Sequence, residues 1–178
     1  YPERMAQGAE PESFDKEYVL LWFRLLPSVR DPVRYDRDAE YQALAWKLNG
    51  ADDPARWMRK VQGPSVFAYR FDWDELDSFL WVDWSRVIGA GHSIEIPFVF
   101  GNFDIPLLKS LFADDNLAGR QQLSRAMMSY WAEFAAHGDP GRGQGGALPR
   151  WAPWQEDGEK YAVLDTPAGG GVRMSSSS

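Results

Sequence analysis

Apolar residues recur at helical spacing in two stretches near the start of the chain. The first stretch predicts a helix over residues 14–26, with Ser13 as its N-terminal cap and Pro27 at its end. The second predicts a helix over residues 38–48, which Gly50 would end. In each of these helices the apolar residues lie on one face.

A third helix is predicted to begin at Asp53, a capping residue, with Pro54 at its first helical position, where proline is favoured. Its apolar face, which we expect to be buried, consists of Trp57, Met58 and Val61. Residues 1–63 are therefore predicted to be a helical segment that forms a cap or flanks a sheet.

The pattern changes beyond this segment. Residues 65–73 are a nearly continuous apolar run, which is typical of a strand buried on both faces of a parallel sheet. Residues 74–91 show no regular pattern and predict a long functional loop. A last short strand is predicted over residues 161–165.

The longest predicted helix covers residues 117–136. Its core-facing residues are expected to be Leu123, Met127, Tyr130, Trp131 and Phe134. The alternation of helices and strands indicates the α/β class. We place a core unit at 64–168 and a flexible tail, rich in Gly and Ser, at 169–178.

Composition excludes several classes of protein. Hydrophobic residues make up 44% of the 178 residues, which excludes disorder. The net charge of -7, without a basic stripe, argues against nucleic-acid binding. The absence of cysteine excludes disulfides and thiolate metal sites, and no apolar run reaches the roughly 18 residues of a membrane span.

His92 is the residue that best fits a chemical role. It follows Gly89-Ala90-Gly91, and glycines let the backbone turn sharply enough to present an imidazole at a sheet edge. A neutral imidazole can take a proton from a hydroxyl and pass it on, so His92 is a candidate general base. The alternative is an ordinary loop or core histidine. His137, the second histidine, fits a structural role at a helix C-terminus.

Several segments resemble the C-terminal part of the type-B carboxylesterases and cholinesterases, and we expect a bacterial member of that family. The strand at 66–73 is similar to the strand before the family's histidine loop, and residues 89–101 are similar to the histidine motif itself. Residues 128–140 resemble the C-terminal helix and its Gly-Asp-Pro turn. Residues 151–154 and 163–165 resemble the last segments of the family's sequences.

The resemblance implies the C-terminal portion of an α/β-hydrolase fold, that is, the last strands of the central sheet and their flanking helices. It also implies serine-dependent hydrolysis of a small-molecule ester, with His92 as the catalytic histidine and without a metal or cofactor. Glu95 aligns with a family glutamate close to that histidine, and we interpret it as a structural carboxylate that holds the loop.

Ile94 aligns with a position that is aromatic in cholinesterases and helps to form their choline site. An aliphatic side chain offers no cation–π face, so Ile94 as a pocket residue favours neutral esters. Ordinary packing of Ile94 is the alternative.

The family's nucleophile motif, Gly-x-Ser-x-Gly, does not occur in the sequence, and neither does an acid-Gly motif before His92. The nucleophile and the triad acid are therefore expected outside this chain. Since the chain begins at Tyr1 and contains few predicted strands, we expect a fragment that docks on the N-terminal remainder of the same protein. A secreted or periplasmic location is compatible with this sequence, which leaves the compartment and the oligomeric state open.

Two alternatives to an esterase remain at this point. One is a non-catalytic binding or adhesion protein on the same fold, because a fold alone does not imply activity. The other is a stacking platform built from the nine tryptophans, several of which lie on apolar helix faces and are explained by core packing.

Overall fold

The structure is a computed structural model that describes residues 19–22, 26–29, 31–79, 82–106, 109, 112 and 114–176. Its strands are β1 (Val19–Trp22), β2 (Leu26–Val29), β3 (Tyr69–Phe71), β4 (Ser78–Phe79), β5 (Val82–Asp83), β6 (Tyr161–Leu164) and β7 (Arg173–Ser175). Its α-helices are α1 (Pro32–Lys47), α2 (Asp53–Gln62), α3 (Trp84–Val87), α4 (Ile96–Phe100) and α5 (Leu117–His137).

The prediction of a helix over 14–26 is wrong for those of its residues that the structure describes. β1 and β2 form an antiparallel pair in which Val19 lies opposite Val29. Two local preferences explain the difference. Pro27 disfavours the helical conformation of the residue before it, and Val19 belongs to the β-branched residues that favour strands. The remainder of the predicted helix lies outside the described residues.

α1 begins six residues earlier than predicted, since the Asp31 carboxylate accepts a 3.1 Å hydrogen bond from the backbone N–H of Arg34 and caps the helix. Gly50 does not end the helical path. The chain continues through a π-helical turn, Leu48–Asp52, directly into α2. Prediction of a break failed because a glycine inside a helical segment is tolerated at a cost of about 1 kcal/mol.

The face of α2 that we predicted to be buried is exposed. Trp57 and Val61 have exposed fractions of 65% and 86%, and Met58 is also exposed. The helix packs on the described residues through Ala55 instead, which is 2% exposed and lies in a small cluster with Trp154.

Three strands form the sheet that organises the rest of the chain, in the order β3-β6-β7. β3 and β6 are parallel, as the apolar run indicated, with Tyr69 opposite Ala162. The predicted burial of this strand on both faces is wrong, because Tyr69 is exposed and Arg70 and Phe71 are only half-buried. β3 is shorter than the predicted strand at 65–73. The tail at 169–178 was predicted to be flexible, but its residues 173–175 form a strand that pairs antiparallel with β6. This pairing gives backbone partners to a segment whose composition favours disorder.

Residues 74–91 contain more structure than the predicted loop, namely the β4–β5 hairpin and the short helix α3. α5 confirms the predicted long helix and ends at Gly138 in the left-handed conformation. Met127 and Tyr130 are fully buried on it, as predicted, whereas Phe134 is exposed.

The main core lies between the sheet, α4 and α5. Its fully buried side chains include Trp73, Phe98, Met127, Tyr130 and Leu164. Within the described ranges, none of the helices combines the length and apolar character needed to cross a membrane.

Candidate functional site

His92 lies in the short loop that joins α3 to α4, and its side chain is exposed. The glycines before it shape this loop. Gly89 has a φ of 54°, and a Cβ atom on Gly91 would lie 3.0 Å from the backbone oxygen of Ile88. A side chain at either position would therefore be strained or crowded. The glycine-rich loop predicted around His92 is present, and it leaves the imidazole open to solvent.

The residue after His92 has an unusual backbone. Ser93 has a φ of 75° and is the sole non-glycine residue with positive φ in the part of the chain that the structure describes. Such a conformation costs about 1–2 kcal/mol and persists where the surrounding structure imposes it. Here the backbone N–H of Ile94 donates to Gly91 across 3.2 Å, and that of Ile96 donates to Ser93 across 3.3 Å. These two hydrogen bonds fix the backbone turn that includes His92.

α4 anchors the loop to the core on its C-terminal side. Phe98 is fully buried, and its carbonyl accepts a 2.8 Å hydrogen bond from the Ser124 hydroxyl on α5. Gly101, in the left-handed conformation, ends α4 so close to α5 that a Cβ would lie 2.9 Å from the sulfur of Met128. The histidine loop therefore rests on a closely packed pair of helices.

Ile94 does not line an opening beside His92. Its side chain is 5% exposed and belongs to the main core cluster, together with Trp73 and Phe98. Its location therefore favours the packing alternative over the pocket role that we weighed from the sequence.

Glu95 holds the loop through its backbone. Its carbonyl accepts hydrogen bonds from the N–H groups of Phe98, at 3.0 Å, and Val99, at 3.1 Å. Its half-buried carboxylate makes no hydrogen bond to any described residue, so the predicted holding role of that carboxylate is not seen in this part of the chain. Burial raises the pKa of Tyr69 on β3, and the negative charge of Glu95 adds to this rise.

Trp46, near the C-terminal end of α1, contacts His92. The centroids of the two rings lie 5.8 Å apart and the ring planes are inclined by 47°. Sequence reasoning missed this contact, because Trp46 lies 46 residues before His92 and off the apolar face predicted for its helix. Among the described residues, the His92 ring accepts and donates no hydrogen bond.

Carboxylates follow both parallel strands at the carboxyl edge of the sheet. Asp72, after β3, accepts hydrogen bonds of 2.7 and 2.6 Å from the Arg70 guanidinium. Asp165, after β6, is 8% exposed and has a raised pKa, chiefly through burial. These side chains, like the rest of the described residues, do not form a cluster of three or more His, Asp or Glu ligands suited to a metal ion.

A groove of about 420 Å³ lies on the other face of α5. It runs between that helix and the segments 144–149 and 165–172, and Asp165 is among its lining residues. None of the residues that line it belongs to the histidine loop. The exposed His92 ring and this groove are therefore separate features of the surface.

Comparison with known proteins gives a consistent picture. A family model described as "Carboxylesterase family" matches residues 47–176. An acetylcholinesterase of Gallus gallus is 39% identical over 110 residues, covering 62% of this chain and 12% of that protein. An acetylcholinesterase of Danio rerio is 35% identical over 126 residues, or 69% of this chain and 18% of that protein.

An acylcarnitine hydrolase of Rattus norvegicus is similar over a shorter stretch, with 40% identity over 79 residues, or 44% of this chain and 12% of that protein. The chain thus spans less than a fifth of the length of each of these relatives.

Proposed function

Because this chain belongs to the carboxylesterase family, we propose that it supplies the general base, His92, of a carboxylic-ester hydrolase. The observation that carries the proposal is the exposed His92 ring at the end of a loop that is fixed by backbone hydrogen bonds and anchored on α5. A general base must be exposed to its partner groups and carried by a fixed backbone, and this loop supplies both.

The proposed reaction is acyl transfer through a serine on the remainder of the protein. His92 takes the hydroxyl proton as the serine oxygen bonds to the ester carbonyl carbon, and the departing alcohol receives that proton. Water then attacks the acyl-enzyme, with its proton passing to His92 and on to the serine oxygen as the acid product leaves. The absence of hydrogen bonds between the His92 ring and the described residues is compatible with both ring nitrogens serving groups supplied from elsewhere.

The rest of the same protein is the partner that we propose for this chain. Two features of the described residues support it. One is the sheet order, which leaves β3 with β6 on one side and no described strand on the other. The second is the exposed apolar face of α2, with Trp57 and Val61. An unpaired strand edge and a large apolar patch both favour coverage by further protein.

Neutral esters are the substrate class that we propose. Although Ile94 packs in the core rather than lining an opening, this aliphatic residue stands at the position that is aromatic in cholinesterases, so the position offers no π-face to a quaternary ammonium group. In the complete protein, p-nitrophenyl acetate should therefore be hydrolysed with a higher kcat/KM than acetylthiocholine. A clear preference for the cationic substrate would contradict this part of the proposal.

The test of the general base is the His92→Ala variant of the complete protein, assayed on p-nitrophenyl esters. Loss of the base should reduce kcat by about 10⁴-fold or more. His137→Ala is the matched control, because His137 is exposed at the end of α5 and pairs with Glu133 at 2.9 Å. The control should retain activity within about twofold, since helix-end contacts of this kind act on stability. Near-normal activity of His92→Ala would refute the assignment.

A further inference from the structure

The ring contact between Trp46 and His92 has no explanation in core packing. Trp46 is 70% exposed, so its indole does not contribute to either of the two buried clusters of the described residues. Burying an aromatic ring is normally the source of its stabilising effect. An indole that is left in solvent and yet lies against the candidate general base therefore calls for another role.

The indole of Trp46 lies beside the π-helical turn. A Cβ atom on Gly50 would be in ordinary van der Waals contact with the ring, 3.5 Å from Nε1 and 3.6 Å from Cδ1. On another side of the indole lies the His92 imidazole, 5.8 Å away between centroids.

The turn itself is tied to the sheet by buried polar contacts. Asp52, which is 3% exposed, pairs with Lys47 at 2.9 Å and accepts a hydrogen bond from the Tyr161 hydroxyl on the central strand. Lys47 is the residue next to Trp46, and its ammonium also lies 5.3 Å from the centre of the Tyr161 ring. The backbone that carries Trp46 is therefore fixed relative to β6 rather than free to move with a surface helix.

We infer that Trp46 is a positioning residue for His92, an inference that rests on the proposed function. The indole limits the orientations of the imidazole in an otherwise open loop. The indole also offers a π-face to the His92 imidazole when the imidazole carries the extra proton during acyl transfer. A cation of this kind is attracted to an aromatic ring whose centre lies within about 6 Å. Stabilisation of the charged ring acts in the transition state, so the contribution should appear in kcat rather than in KM.

The test compares Trp46 variants of the complete protein on a p-nitrophenyl ester. Trp46→Ala should lower kcat by about tenfold while KM stays within about twofold. Trp46→Phe keeps an aromatic face and should recover most of the lost kcat, whereas Trp46→Leu should not. Tyr41→Ala is the control, because Tyr41 is another exposed aromatic residue of α1, with an exposed fraction of 47%, and lies five residues before Trp46, on a different face of the helix.

A spectroscopic measurement separates positioning from general destabilisation. In protein labelled with ¹³C in its histidine rings, the His92 signal, assigned through its loss in His92→Ala, should shift in Trp46→Ala because the indole ring current is removed. Tyr41→Ala should leave that signal in place.

A kcat of Trp46→Ala within twofold of the wild type, or an unmoved His92 signal, would overturn the inference and leave the general base intact. Full activity of His92→Ala would overturn the proposed function and the inference with it.

Discussion

The side chain of Ser124 on α5 donates a hydrogen bond of 2.8 Å to the backbone carbonyl of Phe98 on α4, and both residues are buried. This bond satisfies a carbonyl near the C-terminal end of a helix of five residues, too short to satisfy its own last carbonyls. A serine on a long, well-formed helix thereby stabilises the short helix that follows the histidine loop.

The first prediction concerns this bond. Ser124→Ala removes the donor and leaves the Phe98 carbonyl buried without that partner, so the free energy of unfolding should fall by about 1–3 kcal/mol. Chemical denaturation of the complete protein measures the change. Ser129→Ala is the control, because the Ser129 hydroxyl makes a longer, 3.4 Å contact to Gln144 at an exposed site, and its loss should cost well under 1 kcal/mol. Equal losses for the two variants would contradict the prediction.

The second prediction separates backbone strain from crowding at two left-handed helix ends. Gly101 and Gly138 have φ values of 63° and 72°, but a Cβ would lie 2.9 Å from the Met128 sulfur at Gly101 and within 4 Å of nothing at Gly138. Gly138→Ala should lower the free energy of unfolding by about 1 kcal/mol, which is the cost of the backbone strain alone. Gly101→Ala adds overpacking against α5 and should cost about 2–3 kcal/mol.

Thermal and chemical denaturation of both alanine variants measure the difference. Since α4 follows the histidine loop, Gly101→Ala should also lower the proposed esterase activity of the complete protein, and Gly138→Ala should not. A larger loss of stability at Gly138 than at Gly101 would show that the close approach of α4 to α5 is not tight.

Some of these features follow from local sequence, and those were the ones predicted. α5 combines helical periodicity with a glycine at its end, and the loop around His92 needs its glycines for reasons of backbone geometry alone. β6 was recognisable as a short apolar run, because a strand buried on both faces has few polar residues.

Other features depend on residues that are far apart in the sequence. β7 is a strand because β6 offers it an edge, although its own residues favour disorder. Asp52 takes its partner from a strand more than 100 residues later, so it contacts Tyr161 instead of capping α2. The position of Trp46 on His92 is of the same kind. No periodicity within a single segment carries such information, and for that reason the sequence singled out His92 as a candidate but gave no sign of its aromatic neighbour.

The third prediction concerns the pH dependence of the contact between Asp52 and Tyr161. Burial would raise the pKa of Asp52, but the hydrogen bonds from Tyr161 and Lys47 outweigh burial and lower this pKa below 3.8. A lowered carboxyl pKa stabilises the fold above pH 3.8, and this stabilisation is lost as the pH falls through the lowered value. Tyr161→Phe removes one of the two donors, so it should cost about 1–3 kcal/mol at pH 7 and progressively less below pH 3.8.

Tyr130→Phe provides the comparison for this experiment. Tyr130 is fully buried like Tyr161, but its hydroxyl donates to the neutral backbone carbonyl of Pro149, at 2.5 Å. Its replacement should cost a similar amount at pH 7, with no decrease in acid. Urea denaturation at several pH values between 3 and 7 tests both variants, and a constant penalty for Tyr161→Phe across this range would exclude the proposed linkage.

The last prediction is that a substitution at Asp165 makes the protein more stable. Burial raises the pKa of this carboxyl, the Thr166 N–H lowers it, and the negative charges of nearby acidic residues raise it further. Because the pKa of this carboxyl is raised in the folded protein, folding favours its neutral form. The free energy of unfolding therefore falls as the pH rises from about 3.8 through the raised pKa. Asparagine is neutral and of the same size as aspartate. The size matters because the Asp165 carboxylate lies directly beside Gly169, where a Cβ atom would be only 2.1 Å from it.

Asp165→Asn should therefore raise the free energy of unfolding at pH 7 by up to about 1 kcal/mol and give no gain near pH 3. Asp72→Asn is the informative contrast at the same sheet edge. The Asp72 carboxylate accepts two hydrogen bonds from Arg70, at 2.7 and 2.6 Å, so the loss of its charge should destabilise the protein at pH 7. If both asparagine variants are destabilised at pH 7, ionised Asp165 is stabilised by its surroundings, and the argument from its burial is wrong.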